Sequence, residues 1–167
     1  MNNLDRLNAL PTEKAVDELM RCCGSKRWAF EMAKLRPFHN LVSMCIEGER
    51  IWNSLSREDW LEAFSHHPRI GDVDALKSKF TATASWAKQE QGGVSDATEE
   101  TLHALAALNR DYDDRFGFIF IVCATGKSAK EMLEVLRTRM KNDKAKEFAI
   151  ATNEQLKITK LRLEKWI

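Results

Sequence analysis

No apolar run in this chain approaches the roughly 20 residues that cross a bilayer. Its opening, Met1-Asn2-Asn3-Leu4-Asp5-Arg6, lacks the basic-then-apolar order of a secretory leader. The closing Glu164-Lys165-Trp166-Ile167 is not a peroxisomal address of the Ser-Lys-Leu type. The cytoplasm is the expected compartment. Charge of one sign is also missing: 26 Lys and Arg stand against 25 Asp and Glu, a formal net charge of +1. The basic residues are interleaved with acidic ones, as on solvated helix faces. Such a surface offers no footprint for a nucleic acid or a membrane, so neither is expected as a partner.

Metal and redox spacings are lacking as well. The four cysteines are Cys22, Cys23, Cys45 and Cys123, and none forms a C-x-x-C pair or a zinc spacing. They read as buried free thiols in a reducing compartment, not as nucleophiles. No His-Glu-x-x-His or comparable arrangement occurs. Repeats and linkers are absent, and with 44% hydrophobic and 31% charged residues the chain is neither disordered nor of low complexity. A length of 167 residues suits one domain, residues 1–167, with a core that needs no staples.

What is present is helical punctuation. Thr12 after Pro11 reads as the cap of a first helix, with Val16, Leu19, Met20 and Cys23 inward and Gly24 as its end. Ser25 caps a second, with Trp28, Ala29, Met32 and Leu35 inward, stopped by Pro37. A third runs from about Asn40 to Leu55 on Leu41, Met44, Cys45, Ile51 and Trp52. Ser56-Arg57-Glu58-Asp59 is a capping box with Asp in place of Glu, and it opens a short helix carrying Trp60, Leu61 and Phe64. Val73, Leu76 and Phe80 suggest a turn or two of helix, and Ala82 to Gln91 another, closed by Gly92-Gly93. Ser95-Asp96 reads as the cap of a long helix to about Arg115, with Leu102, Leu105, Leu108 and Tyr112 on one side. Ser128 with Glu131 is a second capping box. The last helix begins near Asp143, with Phe148, Thr152, Leu156, Leu163 and Ile167 inward. One stretch differs: Phe116 to Ala124 is continuously apolar, with no second strand to pair with. It is predicted to be extended chain whose backbone groups bond something else. The predicted fold is all-α, an irregular bundle of about eight or more helices with one extended apolar segment.

Three places carry chemistry. Ser65-His66-His67-Pro68-Arg69-Ile70-Gly71-Asp72 holds two of the four histidines. Pro68 biases His67 away from helical geometry and Gly71 permits a tight turn, so an imidazole that titrates near neutrality is set on a rigid corner. A surface turn is the plainer alternative. A metal site from His66, His67, Asp72 and Asp74 is another, although adjacent histidines before a proline do not share a face. Glu90 and Gln91 end a helix before Gly92-Gly93, where a carboxylate meets the negative end of the dipole at a cost of roughly 0.3–1 kcal/mol. Arg162 lies near an apolar helix face, where its planar fork suits a carboxylate but where a snorkelling structural role is equally open. His39 and His103 read as surface residues.

Taken in order, His67-Pro68-Arg69-Ile70-Gly71, Glu90-Gln91 and Asn109-x-x-Tyr112-x-x-x-Phe116-Gly117-Phe118-x-Phe120 resemble the 2-oxo-4-hydroxy-4-carboxy-5-ureidoimidazoline (OHCU) decarboxylase family. Arg137-x-Arg139-Met140-x-Asn142-Asp143, Glu147 and Ile158-x-x-x-Arg162-Leu163 continue the pattern, so the resemblance covers essentially the whole chain. It implies an all-α carboxy-lyase, commonly a homodimer, that works without metal or organic cofactor. The implied reaction converts OHCU to (S)-allantoin in urate degradation. It also implies His67, Glu90 and Arg162 as catalytic residues. Pro68, Gln91 and the backbone of Phe118, Ile119, Phe120 and Ile121 would bind substrate. One position departs from the pattern: many members have serine where this chain has Ala87, and Ser85 lies one helical step off. Two other classes remain open on the residues alone, a helical adaptor that docks a partner on the Phe118–Ile121 segment and a metal-dependent hydrolase built on the His-His-Pro corner.

Overall fold

The computed structural model describes residues 1–68, 73–74, 76–78 and 98–167. Most of the described residues are helical, and no strand occurs among them. Met1–His67, Ile121–Cys123 and Ala151–Ile167 make one compact unit, and Pro68–Phe120 with Ala124–Ile150 make the other.

The first unit holds α1 (Asn3–Ala9), α2 (Thr12–Met20), α3 (Lys26–Lys34), α4 (Leu41–Ser54) and α5 (Arg57–Ser65). It also takes the C-terminal part of α8 (Lys144–Trp166). Its caps are those the side chains dictate. Ser25 accepts from the Trp28 N–H, and the Asn40–Ser43 and Ser56–Asp59 pairs close reciprocal boxes. Each satisfies donors that a helix start leaves orphaned. Trp28, Met32, Met44, Trp52 and Phe64 fill the core. Gly48 lies in mid-helix, where glycine is usually unfavourable. The Trp28 indole N–H donates to its carbonyl at 2.9 Å, and a Cβ there would stand 3.3 Å from the Trp28 ring. Trp52 ties α4 to α8 by donating to the Thr152 carbonyl at 3.1 Å.

Several expectations are corrected in this unit. Helix α1 has no counterpart in the sequence reading. It is seven residues long with two buried leucines, too little periodicity to detect, and the Arg36 guanidinium holds its end by donating to the Leu7 and Leu10 carbonyls at 2.8 and 2.6 Å. Thr12 is inside α2, behind Pro11, and caps nothing. That helix stops at Met20, short of Gly24. Leu35 follows the end of α3 and is exposed rather than inward.

The second unit holds α6 (Glu99–Phe116), α7 (Ala129–Arg139) and the start of α8; residues 73–74 and 76–78 are also helical, with Leu76 buried. Thr98 caps α6, so the cap lies beyond Ser95-Asp96, which fall outside the described residues. Gly117 ends α6 at φ 78°, in the left-handed region glycine enters freely. Ser128 and Glu131 close the expected box on α7. Tyr112 meets Phe118 and Phe120 edge-on, and Phe118 meets Phe148 in the same way. Within this aromatic cluster the buried Glu147 accepts from Arg139 at 2.6 Å, from the Tyr112 hydroxyl at 2.5 Å and from the Asn142 amide at 3.0 Å. Burial and the bond to Glu147 push the Tyr112 hydroxyl well above its ordinary pKa.

Candidate functional site

His67 follows the last turn of α5. Its backbone N–H still donates to the Phe64 carbonyl at 3.1 Å, and the chain then leaves the helix at Pro68, as an X-Pro step requires. The imidazole is half-buried. Its Nε2 stands 2.5 Å from the side-chain oxygen of Gln155 on α8. His66, by contrast, is exposed and packs on Gly24. The two histidines are thus separated by environment, and the residue before the proline is the one set into the structure.

Gln155 is itself buried and clamped. Its side-chain amide donates to the Thr159 Oγ1 at 3.2 Å, and the Thr159 hydroxyl donates to the Gln155 backbone carbonyl at 3.0 Å. Burial pushes both the Cys22 and the Cys23 thiol up to about 11, so both are neutral at pH 7 and poor nucleophiles. Arg162 reaches back along α8 to donate to the Cys22 carbonyl at 3.4 Å. Its residue is otherwise exposed, a correction to the apolar surroundings expected from the sequence.

Of the apolar segment, Ile121 to Cys123 belong to this unit. Ile121 is buried, and the Cys123 N–H donates to the Glu154 carboxylate at 2.8 Å. Residues 119–124 are neither helix nor strand. Phe118, Ile119 and Phe120 belong to the second unit, where the rings of Phe118 and Phe120 are buried and Arg139 lies over Phe120. With these side chains and Ile121 buried, the segment is no apolar strip for docking an adaptor's partner.

Glu90, Gln91, Ala87 and Ser85 lie outside the described residues, as do Arg69 to Asp72, Phe80, the helix expected over Ala82 to Gln91 and Gly92-Gly93. Pro68 is described and exposed. Among the described residues no group of three or more His, Cys, Asp or Glu side chains is placed to hold a metal ion. None of their helices is long and apolar enough to cross a membrane. His39 and His103 are exposed, as expected.

The residues that sequence reasoning missed are polar ones in the buried stripe of α8. That stripe is Glu147, Phe148, Ala151, Gln155, Thr159 and Leu163, whereas Thr152, Leu156 and Ile167, chosen for their apolarity, are half-buried. The helical spacing from Ala151 to Leu163 runs through Gln155 and Thr159 without a break. A fourfold step that admitted paired polar residues would have found them.

The family model for OHCU decarboxylase matches residues 8–164. The chain is 35% identical over 149 residues to the uric acid degradation bifunctional protein TTL of Arabidopsis thaliana, an alignment over 89% of this chain and 46% of that protein. The chain therefore spans about half the length of that relative. It is 26% identical over 161 residues to the 2-oxo-4-hydroxy-4-carboxy-5-ureidoimidazoline decarboxylase of Haloferax volcanii, covering 96% of this chain and 93% of that one. A crystal structure of OHCU decarboxylase in the presence of (S)-allantoin superposes with a TM-score of 0.72 at 38% identity, over 89% of this chain and 96% of that one.

Proposed function

Because the chain belongs to the OHCU decarboxylase family, we propose that it removes CO2 from 2-oxo-4-hydroxy-4-carboxy-5-ureidoimidazoline to give (S)-allantoin in urate degradation. The observation that carries this reading onto the chain's own residues is the imidazole of His67, pinned at 2.5 Å to Gln155.

The chemistry asks for three things. When the C–COO⁻ bond breaks, its electron pair needs a sink, and the substrate's own ring supplies one. The carboxylate must be held and stripped of water, because solvation favours the localised charge of the ground state over the dispersed charge of the transition state. One proton must then replace CO2 on one face of the ring, or the product would be a racemate. His67 is the acid/base in this reading: it takes the proton of the hydroxyl-bearing centre and relays one back. Such a group is typically worth ~10²–10⁴-fold in rate. Arg162 supplies a forked cation for the carboxylate or ureido oxygens. Glu90 orients His67 or the ureido group, and Gln91 assists in binding. Phe118 and Phe120 have their rings committed to the aromatic cluster, so in this reading they and Ile119 and Ile121 serve substrate through their backbone, and Pro68, next to His67 in the chain, is the remaining binding residue. The family resemblance supports a cytoplasmic homodimer acting on a free small molecule, which sedimentation of the purified protein tests.

The deciding experiment generates the substrate freshly and follows both its loss and the optical activity of the allantoin formed. His67→Asn is expected to lower kcat at least about 100-fold with the helical signal intact, while His66→Ala stays within a few-fold of the parent. Unchanged (S)-allantoin formation by His67→Asn overturns the reading.

A further inference from the structure

Nothing above decides which nitrogen of His67 carries the exchangeable proton, yet the hydrogen bonds behind it do. The Thr159 hydroxyl has one proton, and it is spent on the Gln155 backbone carbonyl, which can only accept. The contact between Thr159 Oγ1 and the Gln155 side chain must then be made by the amide NH2 as donor. That orients the other end of the amide, the oxygen, toward His67 Nε2. An amide oxygen only accepts, so Nε2 must carry a hydrogen.

We propose that Gln155 and Thr159 are positioning residues that hold His67 as its Nε2–H tautomer, so that protons come and go at Nδ1. This rests on the reading of His67 as the acid/base. The acceptor chosen also matters. A carboxylate at position 155 would favour the imidazolium and remove the base at neutral pH, whereas a neutral amide orients the ring without charging it; on this reading Glu90 serves the ureido group rather than His67.

Among the described residues, the titratable and charged groups on neighbouring elements have settings of their own. From the turn between α2 and α3 come Cys22 and Cys23, both neutral thiols at pH 7. From the end of α5 comes His66, turned to Gly24. On α8, Glu154 is engaged by the Cys123 N–H and Lys157, Lys160 by Glu49, and Arg162 by the Cys22 carbonyl. Gln155 and Thr159 are both buried and both on one helix face, which makes the clamp rigid.

The test is ¹⁵N NMR of the histidine side chains of the full chain, assigned with His67→Asn, beside pH profiles of kcat/KM. Neutral His67 is expected to give the Nε2–H pattern. Gln155→Glu is expected to raise its titration midpoint and the acidic limb of kcat/KM together, by about one pH unit or more. Thr159→Val frees the amide to turn: the tautomers should mix and kcat should fall with KM near that of the parent, and Thr159→Ser should restore both. An Nδ1–H pattern in the parent, an unmoved midpoint in folded Gln155→Glu, or a single Nε2–H tautomer in Thr159→Val overturns the proposal. If the NMR midpoint moves and the acidic limb does not follow, the tautomer clamp stands and the catalytic reading of His67 falls.

Discussion

Gly24 lies against His66 so closely that a Cβ built on it would stand 2.5 Å from both the Cβ and the Cγ of that histidine. The turn between α2 and α3 is thereby seated on the end of α5, one residue before His67. Gly24→Ala has to push this contact apart. Overpacking of this kind costs about 1–3 kcal/mol, or roughly 3–10 °C in Tm for a chain of this size. Calorimetry should show that loss, and kcat/KM should fall with it. His66→Gly in the same chain should recover most of the Tm, since it removes all three clashing atoms, Cβ, Cγ and Cδ2.

Among the described residues of the second unit, Arg139 and Glu147 form a buried ion pair, with side-chain exposures of 7% and 0%. Removing one partner leaves the other charge stranded, which typically costs about 3–5 kcal/mol. Urea unfolding of Arg139→Ala should show a loss of that size. Arg139→Met with Glu147→Leu should lose far less, because no charge is left uncompensated. Equal losses in the two would show that packing over Phe120, not the ion pair, is what Arg139 contributes.

Alkaline pH should weaken the fold. Burial raises the Cys22 and Cys23 thiols from 9.0 to about 11. Their stabilising contribution is complete below about pH 9, the unfolded value, and is lost as pH climbs through 11, because the unfolded chain gives up these protons first. Each group adds a slope of up to about 1.4 kcal/mol per pH unit in that window. Urea midpoints at pH 8, 9.5 and 11 should fall steadily in the parent and less in Cys22→Ala.

Glu154 holds the Cys123 N–H at 2.8 Å. Hydrogen bonds to a charged group are worth about 1.5–3 kcal/mol, enough to set the local opening of this segment. Glu154→Ala should speed amide exchange at Cys123 by ten-fold or more, with little change elsewhere. If the segment's backbone meets the substrate, KM should rise more than kcat falls.

Arg162→Lys keeps the charge and discards the fork. A residue that clamps substrate should then show a raised KM with kcat nearly kept. Wild-type kinetics in this variant would remove Arg162 from the site.

Three helix starts were legible from a capping side chain at the right spacing: Ser25, Ser56 and Ser128 cap as their sequence suggests, whereas Asn2 and Thr98 also cap and were not read as caps. These are local bonds over three residues, so a linear reading can see them. Helix α1 escaped because seven residues with two buried leucines carry little periodicity, and the Arg36 that holds its end lies more than 25 residues away. The stripe on α8 was misdrawn for a related reason. Apolarity was taken as the sign of burial, but Gln155 and Thr159 are buried by virtue of being paired, and pairing is not written in one residue's identity.

For the site, the order of residues was enough to single out His67 over His66: a proline constrains the residue before it, and that is a property of the covalent chain. The all-α class followed in the same way from periodicity and caps. Which nitrogen of His67 holds its hydrogen depends on Gln155, 88 residues further along, and the direction in which Gln155 faces depends on the hydroxyl of Thr159. The sequence alone determined where the imidazole stands in the chain. Only the tertiary structure decided its tautomer, because a hydrogen bond acts between groups that folding brings together and a linear order cannot say which those will be.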